Sequence, residues 1–473
     1  MKWFFKWLAL SCSLWAESTT TTHTLLLEKG PLSYNAIVSS LPLRDANGHV
    51  KAEMGFTAYI KEGPLNHRPI TFAFNGGPGS SSIWLHAGAF GPRRVVTHEE
   101  GQSVTPPYCM IDNLETLLDL TDLVFIDPVG TGLSRASEED AGYFYNLGTD
   151  IQSFGAFIRD YLTAHNRWNS PKYLAGESYG ALRACGVADH LQNDYSIYLN
   201  GLILISPAID YQTFVFHTDN QLPHFLYLPT FAATAWHYGR LLPLATLEEV
   251  VSKARRFAYE TYAPSMLKSF SPSPCEKEVL FNRLADFTGL SLNTIKWNKG
   301  RISDQIFQVE FFSEEHKAIG RFDTRCSGNY SDPNQIGFVQ DPSDTAISGI
   351  FIGAFHDYLQ NELQHPASYC PFSLDVNSRW DYSGCNSFGY PNLMGALRQA
   401  LAVNPSLKIF AGCGYFDCAT PFAATEYCLD HLDLADADRS RCQVEYYEGG
   451  HMFYLSPPAR IKFKHDLIRF YEK

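Results

Sequence analysis

This sequence has fewer basic residues than acidic ones. Its 473 residues contain 37 lysines and arginines against 50 aspartates and glutamates, which gives a net charge of −13. Because nucleic acids bind basic surfaces, this balance predicts no nucleic-acid partner. Beyond the first sixteen residues the sequence has no apolar stretch of about 18 residues, the length that a membrane-spanning helix needs. It therefore predicts no integral membrane span.

Metal-binding patterns are also absent. The eleven cysteines include no Cys-x-x-Cys pair, and no group of cysteines and histidines has the spacing of a zinc site, so we expect no metal. If Cys12 is removed with a signal peptide, ten cysteines remain. This even number is compatible with disulfides in an oxidising compartment, but it assigns none of them.

The N-terminus has the pattern of a secretion signal. Residues 1–6 contain two lysines, residues 7–16 are mostly apolar, and the polar sequence Glu-Ser-Thr-Thr follows. An apolar run of about ten residues is too short for a membrane anchor, so we predict cleavage after Ala16 and a secreted or periplasmic protein. A buried first helix and a lipoprotein anchor at Cys12 are the alternatives.

Strand-like runs alternate with helix-like stretches along most of the chain. After a threonine-rich linker, runs at 34–43 and 49–60 are joined through Asn-Gly, a strong hairpin signal. Further strand-like runs, mostly continuous in the manner of buried parallel strands, lie at 69–74, 123–126, 172–175, 202–205, 408–411 and 443–447. These runs predict an α/β fold with a mixed, mostly parallel sheet flanked by helices.

One long segment breaks this alternation. Residues 211–390 contain helix-like stretches around 244–259 and 346–363 but few strand-like runs. We therefore predict a mainly helical cap at 211–390, inserted between a first core part at 17–210 and a second core part at 391–473.

A Gly-x-Ser-x-Gly pattern provides the first candidate for chemistry. Gly176-Glu-Ser-Tyr-Gly180 directly follows a predicted strand and precedes a helix-like stretch at 181–191. A serine on such a tight turn has a strained backbone and close neighbours, so glycine is needed on both sides. The pattern alone is weak evidence, but in this strand–turn–helix setting it predicts that Ser178 is a nucleophile.

A serine nucleophile needs a base, and the base needs an orienting group. On a strand-to-helix turn of this kind, the three residues follow in the order Ser, Asp, His. Asp417 comes just after the predicted strand at 408–411, and His451 follows the one at 443–447 behind two glycines. We predict that Asp417 is the orienting acid and His451 the base, rather than a loop cap and a structural histidine.

A glycine-rich segment provides the candidate oxyanion hole. Asn75-Gly-Gly-Pro-Gly79 follows an earlier strand, where folds with this turn supply one backbone N–H donor, and the residue after the nucleophile supplies the other. This predicts Gly77 and Tyr179 as the donors. A phosphate-binding loop is disfavoured because the segment lacks the Gly-Lys-Ser/Thr ending.

Taken together, these motifs make the chain similar to the serine carboxypeptidases, an α/β-hydrolase family, over most of its length. The motifs that carry the resemblance are 75–79, 126–134, 176–180 and 450–452, in the family's order and approximate spacing. The resemblance implies the α/β-hydrolase fold and the C-terminus of a peptide or protein as substrate. It also implies that Asn75, the backbone of Gly76 and Glu177 bind the substrate's terminal carboxylate.

Several positions depart from the family pattern. Ser80 stands where many relatives have a cysteine, so one familiar disulfide cannot form. The other departures are Ala181 in place of glycine, Asp417 five residues after Gly412 rather than three, and Phe453-Tyr454 in place of Val-Pro. These changes resemble a bacterial branch of the family.

The preferred function is a secreted serine carboxypeptidase that releases C-terminal amino acids through an acyl-enzyme on Ser178. His451 acts first as base and then as acid, and this chemistry needs no cofactor. An acyltransferase or esterase with the same triad is the alternative, and a catalytically inactive binding protein is a third reading. The sequence predicts neither the preferred side chains nor the oligomeric state.

Overall fold

The computed structural model describes residues 18–65, 67–100, 105–241, 246–268, 273–330, 340–366, 368–383 and 389–472. The predicted signal peptide, with Cys12, lies outside the described residues. Among the helices in these ranges, none combines the length and the apolar character that crossing a membrane requires.

Fourteen strands occur in the described residues. They are β1 Thr19–Leu27, β2 Gly30–Arg44, β3 Val50–Lys61, β4 Ile70–Phe74, β5 Arg93–Val95, β6 Met110–Asp112, β7 Asp122–Ile126, β8 Arg135–Ala136, β9 Lys172–Glu177, β10 Gly201–Ile205, β11 Lys317–Ile319, β12 Ser327–Asn329, β13 Lys408–Gly414 and β14 Cys442–Tyr447. Ten of them form one sheet in the order β1-β2-β3-β7-β4-β9-β10-β13-β14, with β8 paired to β3. Two small two-stranded sheets, β5-β6 and β11-β12, lie apart from it.

The main sheet is mixed and mostly parallel. The pairs β1-β2, β2-β3, β3-β7 and β3-β8 are antiparallel, whereas every pair from β7 onward is parallel. The predicted hairpin at 34–43 and 49–60 is the β2-β3 pair, and the six further runs coincide with β4, β7, β9, β10, β13 and β14. The interpretation of the threonine-rich stretch as a linker is wrong, because β-branched threonines favour the edge strand β1.

Helices cover both faces of this sheet and build the inserted segment. They are α1 Ile83–Leu85, α2 Glu138–Ala141, α3 Leu147–Ala164, α4 Tyr179–Tyr195, α5 Leu222–Leu226, α6 Leu228–His237, α7 Leu247–Phe257, α8 Ala263–Leu267, α9 Pro274–Thr288, α10 Leu292–Trp297, α11 Asp304–Glu310, α12 Pro342–Thr345, α13 Ser348–Asp357, α14 Leu374–Arg379, α15 Met394–Val403, α16 Phe422–Asp430, α17 Asp436–Arg439 and α18 Pro457–Glu472. Short 3-10 or π-helical turns include His86–Phe90, Tyr358–Glu362 and Phe453–Leu455.

Two large apolar clusters lie on the two faces of the sheet. Alternate side chains of β4 point to opposite faces: Phe72 and Phe74 belong to one cluster and Ala73 to the other. Helices α3, α4 and α15 pack on the first face, and α13 and α18 pack on the second. Three layers of helix, sheet and helix therefore form an α/β-hydrolase fold, as the sequence predicts.

The segment between β10 and β13 is mainly helical, and its parts pack into three different apolar clusters. Helices α5 to α7 and α9 to α11 contribute to a third apolar cluster, which also contains Phe416 and Phe422 from the chain after β13. In contrast, α13 packs with the second face of the sheet, and Val376 and Trp380 pack with the first. The boundaries at 211 and 390 stay predictions, and the last part of this segment is built into the core.

Candidate active site

Ser178 lies at the turn between β9 and α4. Its backbone has φ 61° and ψ −125°, a left-handed conformation that costs a residue with a side chain about 1–3 kcal/mol. Its N–H donates to the carbonyl oxygen of Ile205 on β10 at 2.9 Å. The half-buried serine occupies the N-cap position of α4 without a capping hydrogen bond from its side chain, and the helix dipole at this end favours negative charge. This is the strand–turn–helix geometry that the sequence predicts around Ser178.

Glycines allow the segments around this turn to approach one another. A Cβ on Gly176 would lie 2.2 Å from the carbonyl oxygen of Gly180, and one on Gly76 would lie 2.6 Å from the backbone nitrogen of Tyr179. The loop after β4 therefore packs against the first turn of α4, and Gly77 is the next residue along this loop. Since Tyr179 is the first residue of α4, its N–H has no acceptor within the helix and is available to an oxyanion.

His451 and Asp417 are buried and hydrogen bonded to each other. His451 Nδ1 lies 2.8 Å from Asp417 Oδ2. The other carboxylate oxygen accepts from the backbone N–H groups of Ala419 at 2.7 Å and Thr420 at 3.0 Å. A carboxylate held this way directs the imidazole proton to Nδ1, which leaves Nε2 able to accept a proton. The contact gives His451 the form that a general base needs.

Two further polar residues, Thr420 and Ser206, connect the loops of Asp417 and His451 with the end of β10, and no sequence motif predicts them. The Thr420 hydroxyl lies 2.9 Å from Asp417 Oδ2 and 2.8 Å from the Ser206 carbonyl oxygen, and its single hydrogen serves one of them at a time. The Ser206 hydroxyl donates to the carbonyl oxygen of His451 at 2.7 Å. Because Ser206 directly follows Ile205, which accepts from Ser178, the end of β10 holds the acid and base loops near the nucleophile's turn.

Glu177 is the last residue of β9 and is almost completely buried. Burial raises the pKa of its carboxyl group to about 7, although His451 and the hydroxyl of Tyr454 oppose this rise. The Tyr454 hydroxyl donates to Glu177 Oε2 at 2.6 Å. A buried glutamate with this pKa can be neutral near physiological pH, and it can then donate a hydrogen bond to an anion.

Asn75 places an unused donor beside this carboxyl group. Its Oδ1 accepts from the N–H of Leu85 at 3.0 Å. Its Nδ2 is buried and makes no hydrogen bond of normal geometry with the described residues, although it lies near enough to the Glu177 carboxyl group to lower the pKa of that group slightly as a weak donor. Because unpartnered buried donors are rare, this amide is suited to a ligand's acceptor group. Asn75 and Glu177 together offer the donors that a carboxylate requires.

The buried ion pair of Arg183 and Asp150 contacts the backbone of Asn75. Arg183 Nε lies 2.8 Å from Asp150 Oδ2, and Arg183 Nη1 donates to the carbonyl oxygen of Asn75 at 2.6 Å. The hydroxyl of Tyr179 donates to the same Asp150 oxygen at 3.1 Å. This pair connects α3, α4 and the loop after β4, and no motif in the sequence predicts it.

The pKa of His451 is raised above its ordinary value. Burial would lower it, but the carboxylate of Asp417 and, to a smaller extent, that of Glu177 outweigh burial, while Arg321 opposes them. Glu177 and His451 therefore influence each other, because a negative Glu177 favours a charged imidazole and a charged imidazole favours a negative Glu177.

The segment between β11 and β12 covers the imidazole. The backbone N–H of His451 donates to the Phe322 carbonyl oxygen at 2.5 Å, and the imidazole and phenyl rings lie with their centroids 5.3 Å apart. The Cys418 N–H donates to the carbonyl oxygen of Arg321 at 3.0 Å, so the same segment contacts the acid loop. A Cβ on Gly450 would lie 2.2 Å from the Phe322 oxygen, which explains a glycine before His451.

Metals and disulfides are not evident in the described ranges. No group of three or more histidine, cysteine, aspartate or glutamate side chains there could hold a metal ion. The cysteines in the same ranges are free thiols: Cys109, Cys185, Cys275, Cys326, Cys370, Cys413, Cys418, Cys428 and Cys442.

Sequence comparison relates part of the chain to a known family. Residues 44–233 match the family model described as serine carboxypeptidase. The pheromone-processing carboxypeptidase KEX1 of Yarrowia lipolytica is 30% identical over 158 residues, which cover 32% of this chain and 24% of that protein. Serine carboxypeptidase-like 36 of Arabidopsis thaliana is 30% identical over 163 residues, 33% of this chain and 31% of that protein. The chain thus matches about a quarter to a third of the length of these relatives.

Structural comparison covers more of the chain at lower similarity. A proline iminopeptidase from Mycobacterium smegmatis aligns with 92% of this chain and 98% of its own, at 14% identity and a TM-score of 0.37. The resemblance to serine carboxypeptidases is confirmed for residues 44–233, which include Asn75, Glu177 and Ser178. Asp417 and His451 lie beyond that match. The roles of all these residues and the resemblance to a bacterial branch stay predictions.

Proposed function

We propose that the protein is a serine carboxypeptidase that releases C-terminal amino acids from peptides through an acyl-enzyme on Ser178. The observation that carries the proposal is the buried carboxyl group of Glu177, which directly precedes the nucleophile's turn and lies beside the His451–Asp417 pair. The histidine–aspartate pair supports acyl transfer to a serine. The neutral carboxyl group supports recognition of a substrate carboxylate at the same place.

The proposed reaction uses His451 as the base, because its Nδ1 contact with Asp417 leaves Nε2 able to accept a proton. Nε2 removes the proton of the Ser178 hydroxyl as its oxygen attacks the scissile carbonyl carbon. The N–H groups of Gly77 and Tyr179 stabilise the negative oxygen that develops, with help from the N-terminus of α4. His451 then gives its proton to the leaving amino group, and a water molecule repeats the sequence to release the acyl group. The Asp417 carboxylate stabilises the charged imidazole.

The selectivity for a chain end follows from charge. An ionised Glu177 would repel an ionised substrate carboxylate, whereas a neutral Glu177 donates a hydrogen bond to it. Asn75 Nδ2 supplies a second donor. A peptide bond within a longer chain offers no carboxylate at this position, so cleavage is limited to the last residue.

The competent enzyme must therefore have two neutral groups at once. His451 cannot accept a proton at a pH below its own pKa, and Glu177 cannot bind the substrate carboxylate at a pH above its pKa of about 7. Activity on free-acid peptides should rise with pH through the first pKa and be lost through the second. We expect a bell-shaped profile whose maximum lies between these two pKa values.

The proposal is tested by measuring kcat/KM against pH for a free-acid peptide and its C-terminal amide, in the wild type and in Glu177→Gln. In the wild type the amide should be poorer by about 10- to 100-fold at acidic pH, the usual effect of losing hydrogen bonds to a charged group. Only the free acid should lose activity as pH rises through about 7.

Glu177→Gln makes the test sharper because glutamine is a neutral donor at every pH. The variant should keep its affinity for the free acid at alkaline pH. Its acidic limb should stay close to that of the wild type, because Glu177 is already neutral at that pH in the wild type. Parallel profiles for both substrates in both proteins would remove Glu177 from the carboxylate site.

Export from the cytoplasm is a separate proposal. It is supported by the lysines and the short apolar run of residues 1–16. The alternative of a lipid anchor at Cys12 predicts a membrane-bound product, which fractionation of the expressing cells would detect.

A further inference from the structure

Tyr454 lies at one of the positions where the sequence departs from the serine carboxypeptidase pattern. Its side chain is completely buried, and its hydroxyl donates to Glu177 Oε2 at 2.6 Å. The ring is held against the π-helical turn His86–Phe90, because a Cβ on Gly88 would lie only 2.8 Å from Tyr454 Cε2. A proline at this position could make no such contact, since it has no hydroxyl.

Resting on the proposed function, we propose that Tyr454 is a positioning residue that fixes which oxygen of Glu177 faces the substrate's terminal carboxylate. A neutral carboxyl group has one O–H, and the oxygen that accepts from a tyrosine hydroxyl acts as the acceptor oxygen. With Oε2 held by Tyr454, Oε1 carries the proton and donates to the substrate.

The tyrosine can serve as donor across the whole working range of pH. Burial and the neighbouring Glu177 raise its pKa well above the ordinary value, so the hydroxyl keeps its proton. Its hydrogen bond also favours the ionised form of Glu177 and so opposes burial, which favours the neutral form. Tyr454 thus orients the carboxyl group and keeps its titration close to neutrality.

The charged and titratable groups that face Glu177 act in both directions. Besides burial, the Asp417 carboxylate favours the neutral form, whereas His451 and the hydroxyl of Tyr454 favour the ionised form. The amide of Asn75 also favours the ionised form, more weakly. Removing only the tyrosine hydroxyl should therefore raise the pKa of Glu177 and leave the other groups in place.

Tyr454→Phe tests this inference with the same two substrates. We expect KM for the free-acid peptide to rise about tenfold at acidic pH, as for the loss of one hydrogen bond to an ionisable group, with little change in kcat. The alkaline limit of its activity should move up by about one pH unit, the shift that corresponds to such an interaction. The parameters for the peptide amide should stay the same.

Tyr447→Phe is the matched control. Tyr447 on β14 is also a buried tyrosine that donates to a buried carboxylate, that of Asp466, at 2.7 Å. Removing its hydroxyl should move neither the alkaline limit nor the ratio of the two KM values. Thermal unfolding of both variants shows whether they are folded.

A merely structural role for Tyr454 predicts a different result. It would lower kcat/KM for the free acid and the amide equally and leave the alkaline limit in place, and this outcome would overturn the inference. The double variant with Glu177→Gln adds a second test. Glutamine does not titrate, so adding Tyr454→Phe there should leave the alkaline part of the pH profile unchanged, and any change in it would show that Tyr454 does not act through the carboxyl group. The wild-type measurement tests the proposed function separately. Equal kcat/KM values of the wild type for the free-acid peptide and its amide would contradict that function itself.

Discussion

Ser178→Ala is expected to lower kcat by about 10⁴- to 10⁶-fold, the usual effect of removing an activated serine, while the protein stays folded. The change removes only the nucleophilic oxygen and keeps the N–H donors of Gly77 and Tyr179. Steady-state kinetics on a free-acid peptide measure the loss, and circular dichroism checks the fold. A variant with more than about a tenth of wild-type activity would show that the nucleophile is another residue.

The same position offers a stability test that is independent of chemistry. Because Ser178 has φ 61°, both serine and alanine are strained there, whereas glycine adopts this conformation without a Cβ penalty. Ser178→Gly should therefore be inactive but more stable than Ser178→Ala, by about 1 kcal/mol in the free energy of unfolding. A glycine variant that is the less stable of the two in chemical denaturation would show that the turn is not strained.

Asp417→Asn is expected to lower kcat by about 10⁴-fold. The carboxylate accepts N–H groups at both oxygens: those of Ala419 and Thr420 at Oδ1, and that of His451 at Oδ2. In asparagine, the oxygen would accept from the backbone and the NH₂ group would face His451 Nδ1. The imidazole would then place its proton on Nε2, where it can no longer accept one from Ser178.

A control for this variant is Asp210→Asn. Asp210 is also a buried aspartate, and its Oδ1 accepts a backbone N–H from Gln212 at 2.9 Å, but no hydrogen bond among the described residues joins it to His451. It should keep the wild-type kcat. Near-normal rates in Asp417→Asn would mean that another acid orients the base.

The sequence predicted those parts of the fold that local patterns determine. Buried parallel strands are short continuous apolar runs, and the turn at Ser178 requires glycines at fixed offsets, so both can be recognised without knowledge of the fold. The sequence did not predict strand β1, because its first half is a run of polar threonines with no apolar face. Only Leu25, near its end, joins the apolar cluster as a buried side chain. The edge of a sheet is therefore harder to predict than its centre.

Contacts between distant segments could not be predicted in this way. Phe322 in the inserted segment meets His451, and Tyr454 meets Glu177 across 277 positions of the chain. The sequence indicated Tyr454 only as a departure from a family pattern, and Thr420 had no signal beyond its place three residues after Asp417. Such contacts depend on how the layers pack, which no local pattern records.

Removal of single residues from a chain end can be observed by mass spectrometry of one defined peptide incubated with the protein. We predict a ladder of products that become shorter by one residue at a time from the C-terminus at acidic pH. The amide of the same peptide should be largely spared, and Ser178→Ala should produce no ladder. Cleavage at internal bonds, loss from the N-terminus, or transfer of the acyl group to an added amine in place of hydrolysis would contradict the account.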